Sequence, residues 1–124
     1  SGDLIRRISA QLGERVSAVR LTDRLVESPA RLVDEEGTLE PQMQRVYRLL
    51  DKPYEVPKKV LEINPRHPIL KKLHHLPAGH PLEESVIEQI YENALLIEGL
   101  HPDPANMIAR IQRLMEAALP PEES

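Results

Sequence analysis

At 124 residues, below the roughly 150 expected per domain, the chain reads as one domain with at most a small appendage. Leu, Ile and Val supply 35 of those residues, which is too many for a disordered chain, and the absence of Phe, Trp and Cys excludes disulfides, thiolate metal sites and cysteine nucleophiles. A net charge of −4 argues against phosphate binding as the main task, and no apolar run approaches the roughly 20 residues of a membrane span, so a soluble, cytoplasmic chain with neither nucleic acid nor membrane as partner is expected.

Leu4, Ile5, Ile8 and Leu12 follow helical spacing after Asp3, a suitable N-cap, and Gly13 stands where that helix would end. From Val16 the pattern changes to Val16, Ala18, Val19 and Leu21 with Arg20, Thr22 and Arg24 between them, which predicts a strand with one wet face. Ser28-Pro29 breaks it, and Ala30–Val33 makes a second short strand. Thr38 can cap a helix over 38–51, with Leu39, Met43, Val46, Tyr47 and Leu50 on one stripe. Lys59–Ile63 is a third strand. Asn64 then caps a helix with Pro65 in its first turn, carrying Ile69, Leu70, Leu73 and Leu76 and stopping at Pro77 and Gly79.

Pro81 opens a long helix through Ile97, and Asp103-Pro104 caps and starts another through Ala118. On both, the apolar residues cover more than the stripe that one contact requires. A second copy of the same hairpin would cover the remainder, giving a four-helix arrangement about a two-fold axis. The expected interface is Val86, Ile87, Ile90, Tyr91, Ala94, Leu95, Met107, Ile108, Ile111, Leu114 and Met115. Packing of the whole hairpin on the chain's own sheet is the alternative. The expected organisation is an α/β subdomain over 1–79, a dimerisation hairpin over 80–119 and a flexible acidic tail over 120–124. The fold class is α+β: a small three-stranded sheet with helices, followed by that hairpin.

Chemistry-bearing patterns are sparse. His67, His74, His75 and His80 lie within fourteen positions, but adjacent His74 and His75 diverge by about 100° on a helix, and no carboxylate completes a zinc-like set. A metal-dependent enzyme built on them is therefore the weaker alternative, beside histidines at helix ends, where the dipole favours them near the C-terminus. None of Ser9, Ser17, Ser28, Ser85 and Ser124 lies in a nucleophile elbow, and Ser85 with Glu88 reads as local capping. The glycines at 2, 13, 37, 79 and 99 make no phosphate loop. Glu83-Glu84 and Glu122-Glu123 read as solvated faces. Arg6, Arg7, Arg15, Arg20, Arg24 and Arg31 could meet a phosphate or an acidic partner, without the interleaved aromatics of a nucleic-acid surface. The stripe of the 38–51 helix fits either packing on the sheet or an adaptable binding surface, since Met suits promiscuous contact.

Four ordered blocks carry a resemblance: Val19-Arg20-Leu21-Thr22-Asp23-Arg24-Leu25, Ser28-Pro29-Ala30-Arg31-Leu32-Val33, Met43-Gln44-Arg45-Val46, and Leu61-Glu62-Ile63-Asn64-Pro65-Arg66-His67-Pro68-Ile69. Together they resemble the C-terminal domain of the ninety-kilodalton heat-shock chaperones, in the bacterial high-temperature protein G branch. The resemblance implies a constitutive homodimerisation module whose last two helices pair with those of a partner. It also implies that Leu39, Met43, Val46 and Tyr47 contact non-native client proteins, with a purely structural dimer module as the alternative. ATP, Mg and the ATPase would belong to the absent N-terminal part of the parent, so this domain is expected to hold no cofactor and to be no enzyme. The chain ends Pro121-Glu122-Glu123-Ser124, which does not support co-chaperones that read a Glu-Glu-Val-Asp tail.

Overall fold

The computed structural model describes residues 2–24, 27–35 and 53–122. The expected 38–51 helix, with Leu39, Met43, Val46 and Tyr47, lies outside them.

The first helix, α1 (Gly2–Leu12), buries Leu4, Ile8 and Leu12, one residue per turn on one face. Asp3 is inside its first turn rather than its cap, and holds Arg6 at 2.8 Å. Gly13 adopts φ 57°, a left-handed conformation that glycine reaches without a Cβ penalty, and a 3₁₀ turn, Gly13–Arg15, leads to the first strand, β1 (Val16–Leu21).

The sheet has three strands. The strand β3 (Lys59–Ile63) lies in the middle, parallel to β1 on one side and antiparallel to β2 (Ala30–Val33) on the other. Val16 and Val19 are both buried, a spacing of three that a regular strand would send to opposite faces. A register shift between Val16 and Ala18 resolves it: Ser17 is the extra residue, so Val16 and Val19 reach the same side while Ala18 and Leu21 stay exposed.

The connection after β3 differs from the expected cap. Asn64 folds a turn, accepting from the Arg66 N–H through its side chain at 3.0 Å and from the His67 N–H through its carbonyl at 3.1 Å. The next helix, α2 (Pro68–His75), starts three residues later than Asn64-Pro65 suggested, with His67 as its N-cap. The long helix α3 (Pro81–Ile97) follows, capped by His80, and buries Ile87, Ile90, Tyr91, Ala94 and Leu95. Gly99 at φ 69° turns the chain out of it, and the Leu100 N–H closes onto the Leu95 carbonyl at 2.8 Å. Asp103 makes no side-chain cap; Pro104–Met107 is a 3₁₀ turn, and the last helix, α4, runs from Ile108 to Ala118.

One core joins α1, the sheet, α2 and α3. Leu4, Ile8 and Leu12 from α1, Val19, Leu32, Leu61 and Ile63 from the sheet, Leu70 and Leu73 from α2, and the buried residues of α3 form a single cluster that crosses the boundary expected at residue 79. Each such aliphatic side chain contributes about 1.5–3 kcal/mol through its burial.

Candidate functional site

The helix α4 is the exception to this packing. None of its residues is buried, although Ile108, Ile111 and Met115 recur at helical spacing, with Leu119 just past its end. Ile108 is 51% exposed, Met115 60% and Leu119 67%, while Ile111 and Leu114 are half-buried. At the end of α3, Leu96 and Ile97 are exposed as well. Single exposed aliphatics are ordinary, but several gathered at one end of the hairpin mark a candidate surface of interaction.

The residues expected at an interface therefore divide. Ile87, Ile90, Tyr91, Ala94, Leu95 and Met107 are buried within the chain itself; Val86 is half-buried against the same core. Ile108, Ile111, Leu114 and Met115 are the ones with surface to offer. The periodicity of α3 and α4 revealed how much apolar area the hairpin has, but not that α3 spends its share on the sheet and on α1.

Polar side chains fasten the hairpin to the remainder. Arg7, on α1, donates to Glu83 at 2.9 Å and to the Leu76 carbonyl at 3.1 Å, and Glu83 also accepts from the Gly79 N–H at 2.8 Å. Glu83 is thus a structural clamp, not the solvated acid its sequence position suggested. The Arg7 bond and the Gly79 N–H hold its carboxyl below the usual carboxylate range. Arg15 grips Glu88 through both terminal nitrogens, at 2.6 and 2.7 Å, and lies over the Tyr91 ring. Burial pushes the Glu88 carboxyl up, but the bonds from Arg15 and Gln11 outweigh it, so the group sits below its ordinary value. Ser85 lies a full turn inside α3, where His80 is the N-cap, so Ser85 and Glu88 do not form the local cap expected.

Across the sheet, Arg20, Glu62 and Arg31 stand in register on three adjacent strands. Both guanidiniums donate to Glu62 at 2.8 Å. Burial raises the Glu62 carboxyl, and Arg31 and Arg20 together more than reverse it. A cleft of about 560 Å³ beside this triad is lined by Arg20, Asp23, Arg24, Glu62 and Arg66 among others. Of the N-terminal basic set, Arg6, Arg7, Arg15, Arg20 and Arg31 each hold a carboxylate, which removes most of the charge that a phosphate or an acidic ligand would need.

Two of the histidines cap helices. His67 and His80 accept from the N–H two residues on, each at 3.1 Å, at the starts of α2 and α3, while His74 and His75 occupy the last turn of α2. Among the described residues no three His, Cys, Asp or Glu side chains converge as a metal site would require, and no helix is long and apolar enough to cross a membrane. Sequence patterns gave no warning of the Glu92 hub, which bonds His101 at 2.7 Å and pairs with Arg110; all three are ordinary surface residue types, and only the hairpin's geometry joins them.

The family profile described as Hsp90 protein matches residues 1–124. The chain is 39% identical over 118 residues to the chaperone protein HtpG of Oleidesulfovibrio alaskensis, covering 93% of this chain and 19% of that protein. It is 40% identical over 116 residues to chaperone protein HtpG of Nitratidesulfovibrio vulgaris, covering 91% and 18%, and 38% identical over 113 residues to that of Legionella pneumophila, covering 90% and 18%. The chain spans about a fifth of the length of these curated relatives.

Proposed function

The chain belongs to the Hsp90 protein family, and from that premise we propose that it is the C-terminal homodimerisation and client-contact domain of an ATP-dependent chaperone of the HtpG kind. The observation that carries the dimer half is the apolar surface that α4 leaves uncovered, with Ile108 and Met115, and Leu119 just past its end, all more than half exposed. In the proposed dimer α4 and the exposed end of α3 pack against their counterparts as a four-helix arrangement, which buries the stripe without disturbing the core. The contact raises the effective concentration of two ATPase heads, so that their closure becomes an intramolecular event. The heads, with their ATP and Mg, belong to other parts of the chaperone, and no catalytic step is assigned to these residues. A cytoplasmic location is part of the proposal, supported by the lack of cysteine.

Sedimentation equilibrium at micromolar concentration tests the dimer: a species of twice 14.1 kDa is expected for the wild type, and the 14.1 kDa species alone for Ile108→Ser with Met115→Ser. A wild type that sediments only as the single chain overturns the reading.

The client half rests on the match of Leu39, Met43, Val46 and Tyr47 to the family's client-contact segment and on the adaptable character of Met. Met43→Ser with Tyr47→Ser should weaken binding of an unfolded model protein and leave dimerisation intact. Unchanged client affinity in a variant that still dimerises would reduce the domain to a structural dimer module.

A further inference from the structure

Polar contacts fix the first turn of α4 to its own chain. Met107, in the 3₁₀ turn ahead of it, is 4% exposed, and Ile111 and Leu114 on α4 itself are half-buried. The first turn of α4 presents Arg110, whose side chain is 18% exposed. Its guanidinium pairs with Glu92 and donates to the Gln89 side-chain oxygen at 3.2 Å, so it grips two positions on α3 nearly one turn apart. The Gln89 amide nitrogen in turn lies 2.9 Å from the Asn93 side-chain oxygen and 3.5 Å from the Met107 sulfur.

Glu92 has a second task. Its other carboxylate oxygen meets His101 Nε2 at 2.7 Å, in the connection between the two helices. His101 Nδ1 accepts from the Asp103 N–H at 3.1 Å, directly before the 3₁₀ turn. One carboxylate on α3 therefore ties down both the connection and the helix that follows it.

We propose that Glu92 and Arg110 are positioning residues for the homodimer interface, fixing the roll of α4 so that Ile108 and Met115 face outward before a second copy arrives. The proposal rests on the homodimer reading above. An eleven-residue amphipathic helix with an uncovered stripe is marginal alone, and the hydrophobic effect favours rolling it inward. Such a roll would strip Arg110 of both partners and leave Glu92, 16% exposed, without its countercharge, which is costly in a partly desolvated site. A helix held in its bound orientation loses less freedom on association.

Sedimentation equilibrium of the 124-residue chain compares wild type with Arg110→Gln, Glu92→Gln and the double variant. The expected result is a dimer dissociation constant raised roughly tenfold in each single variant, with the double variant losing less than the two single losses combined, because the pair they share is broken only once while the Gln89 and His101 bonds are lost separately. Arg110→Lys should recover part of the loss, since its point charge keeps Glu92 but not the fork that also reaches Gln89.

Arg110→Gln with wild-type affinity overturns the proposal; its place on a helix without buried residues makes unfolding an unsuitable explanation. Additive losses in the double variant overturn it too. So does a fall in urea stability, in the monomeric Ile108→Ser, Met115→Ser background, as large as the loss of affinity, for the role would then be structural. A monomeric wild type refutes the homodimer reading itself, and that result is seen before any variant is made.

Discussion

Helices α1 and α4 are both eleven residues long, and both carry apolar side chains at helical spacing. In α1 the stripe is closed: Leu4, Ile8 and Leu12 are each no more than 2% exposed, beneath the sheet and α3. In α4 the equivalent stripe stays partly open: Ile111 is half-buried, but Ile108 and Met115 are more than half exposed. Amphipathicity thus says that a helix has something to cover, but not whether its own chain or another molecule does the covering. That answer depends on how much neighbouring surface remains after the long helix α3 has taken its place in the core.

The sharpest way to break the comparison is to truncate one side chain on each helix. Ile8→Ala, at 1% exposure, should cost about 2–5 kcal/mol of unfolding free energy by loss of transfer energy and an unfilled cavity. Met115→Ala should change the stability of the isolated chain by no more than about 0.5 kcal/mol, and act on association instead. Urea unfolding at a concentration low enough to populate single chains separates the two. Equal losses would mean that the stripe of α4 is covered after all.

Acid should act on the closed region before the open one. Glu62, Glu83 and Glu88 are all held below their ordinary value of 4.5 by arginines within the packed part of the chain. Their unfolded counterparts take up protons first as the pH falls, so the unfolded state binds more protons and stability declines with acidity. The contribution is complete at neutral pH, declines as the pH drops from 4.5, and is gone below the lowered folded values. Urea unfolding across that range should show the decline, and Glu62→Gln should make it shallower; an unaltered slope would mean that Arg20 and Arg31, both partly exposed, are too well screened to matter.

The smallest effect concerns Ser17, whose hydroxyl is buried without a hydrogen-bond partner among the described residues. Ser17→Ala should be neutral or slightly stabilising in thermal unfolding, within about 0.5 kcal/mol, because no bond is lost with the oxygen. A clear destabilisation would show that the register shift depends on that hydroxyl.

Local chemistry made much of the fold legible. The positions of Leu4, Ile8 and Leu12, the alternation ending at Leu21, the aliphatic run at Lys59–Ile63 and the Pro81 start of α3 each announced an element that the structure contains. Helix starts were less legible where an unusual residue does the capping. Asn64 and Asp103 have the chemistry of caps but belong to turns, while His67 and His80 cap through a ring nitrogen. The spacing of Val16 and Val19 hid a bulge, since nothing local marks Ser17 as the extra residue. At the candidate site, the stripe of α4 was readable as pattern, whereas Glu92, His101 and Arg110 come together only once the hairpin is folded.

The strand order has a consequence for the nascent chain. β1 and β2 are consecutive in sequence but never touch; each finds its hydrogen-bonding partner in β3, on opposite edges. As the polypeptide leaves the ribosome, both edge strands emerge with open backbone groups and must wait for Lys59–Ile63 before either ladder forms. The interval is one in which two aliphatic strands are available to the wrong neighbour, so a domain read here as serving unfolded proteins spends its own first moments as one.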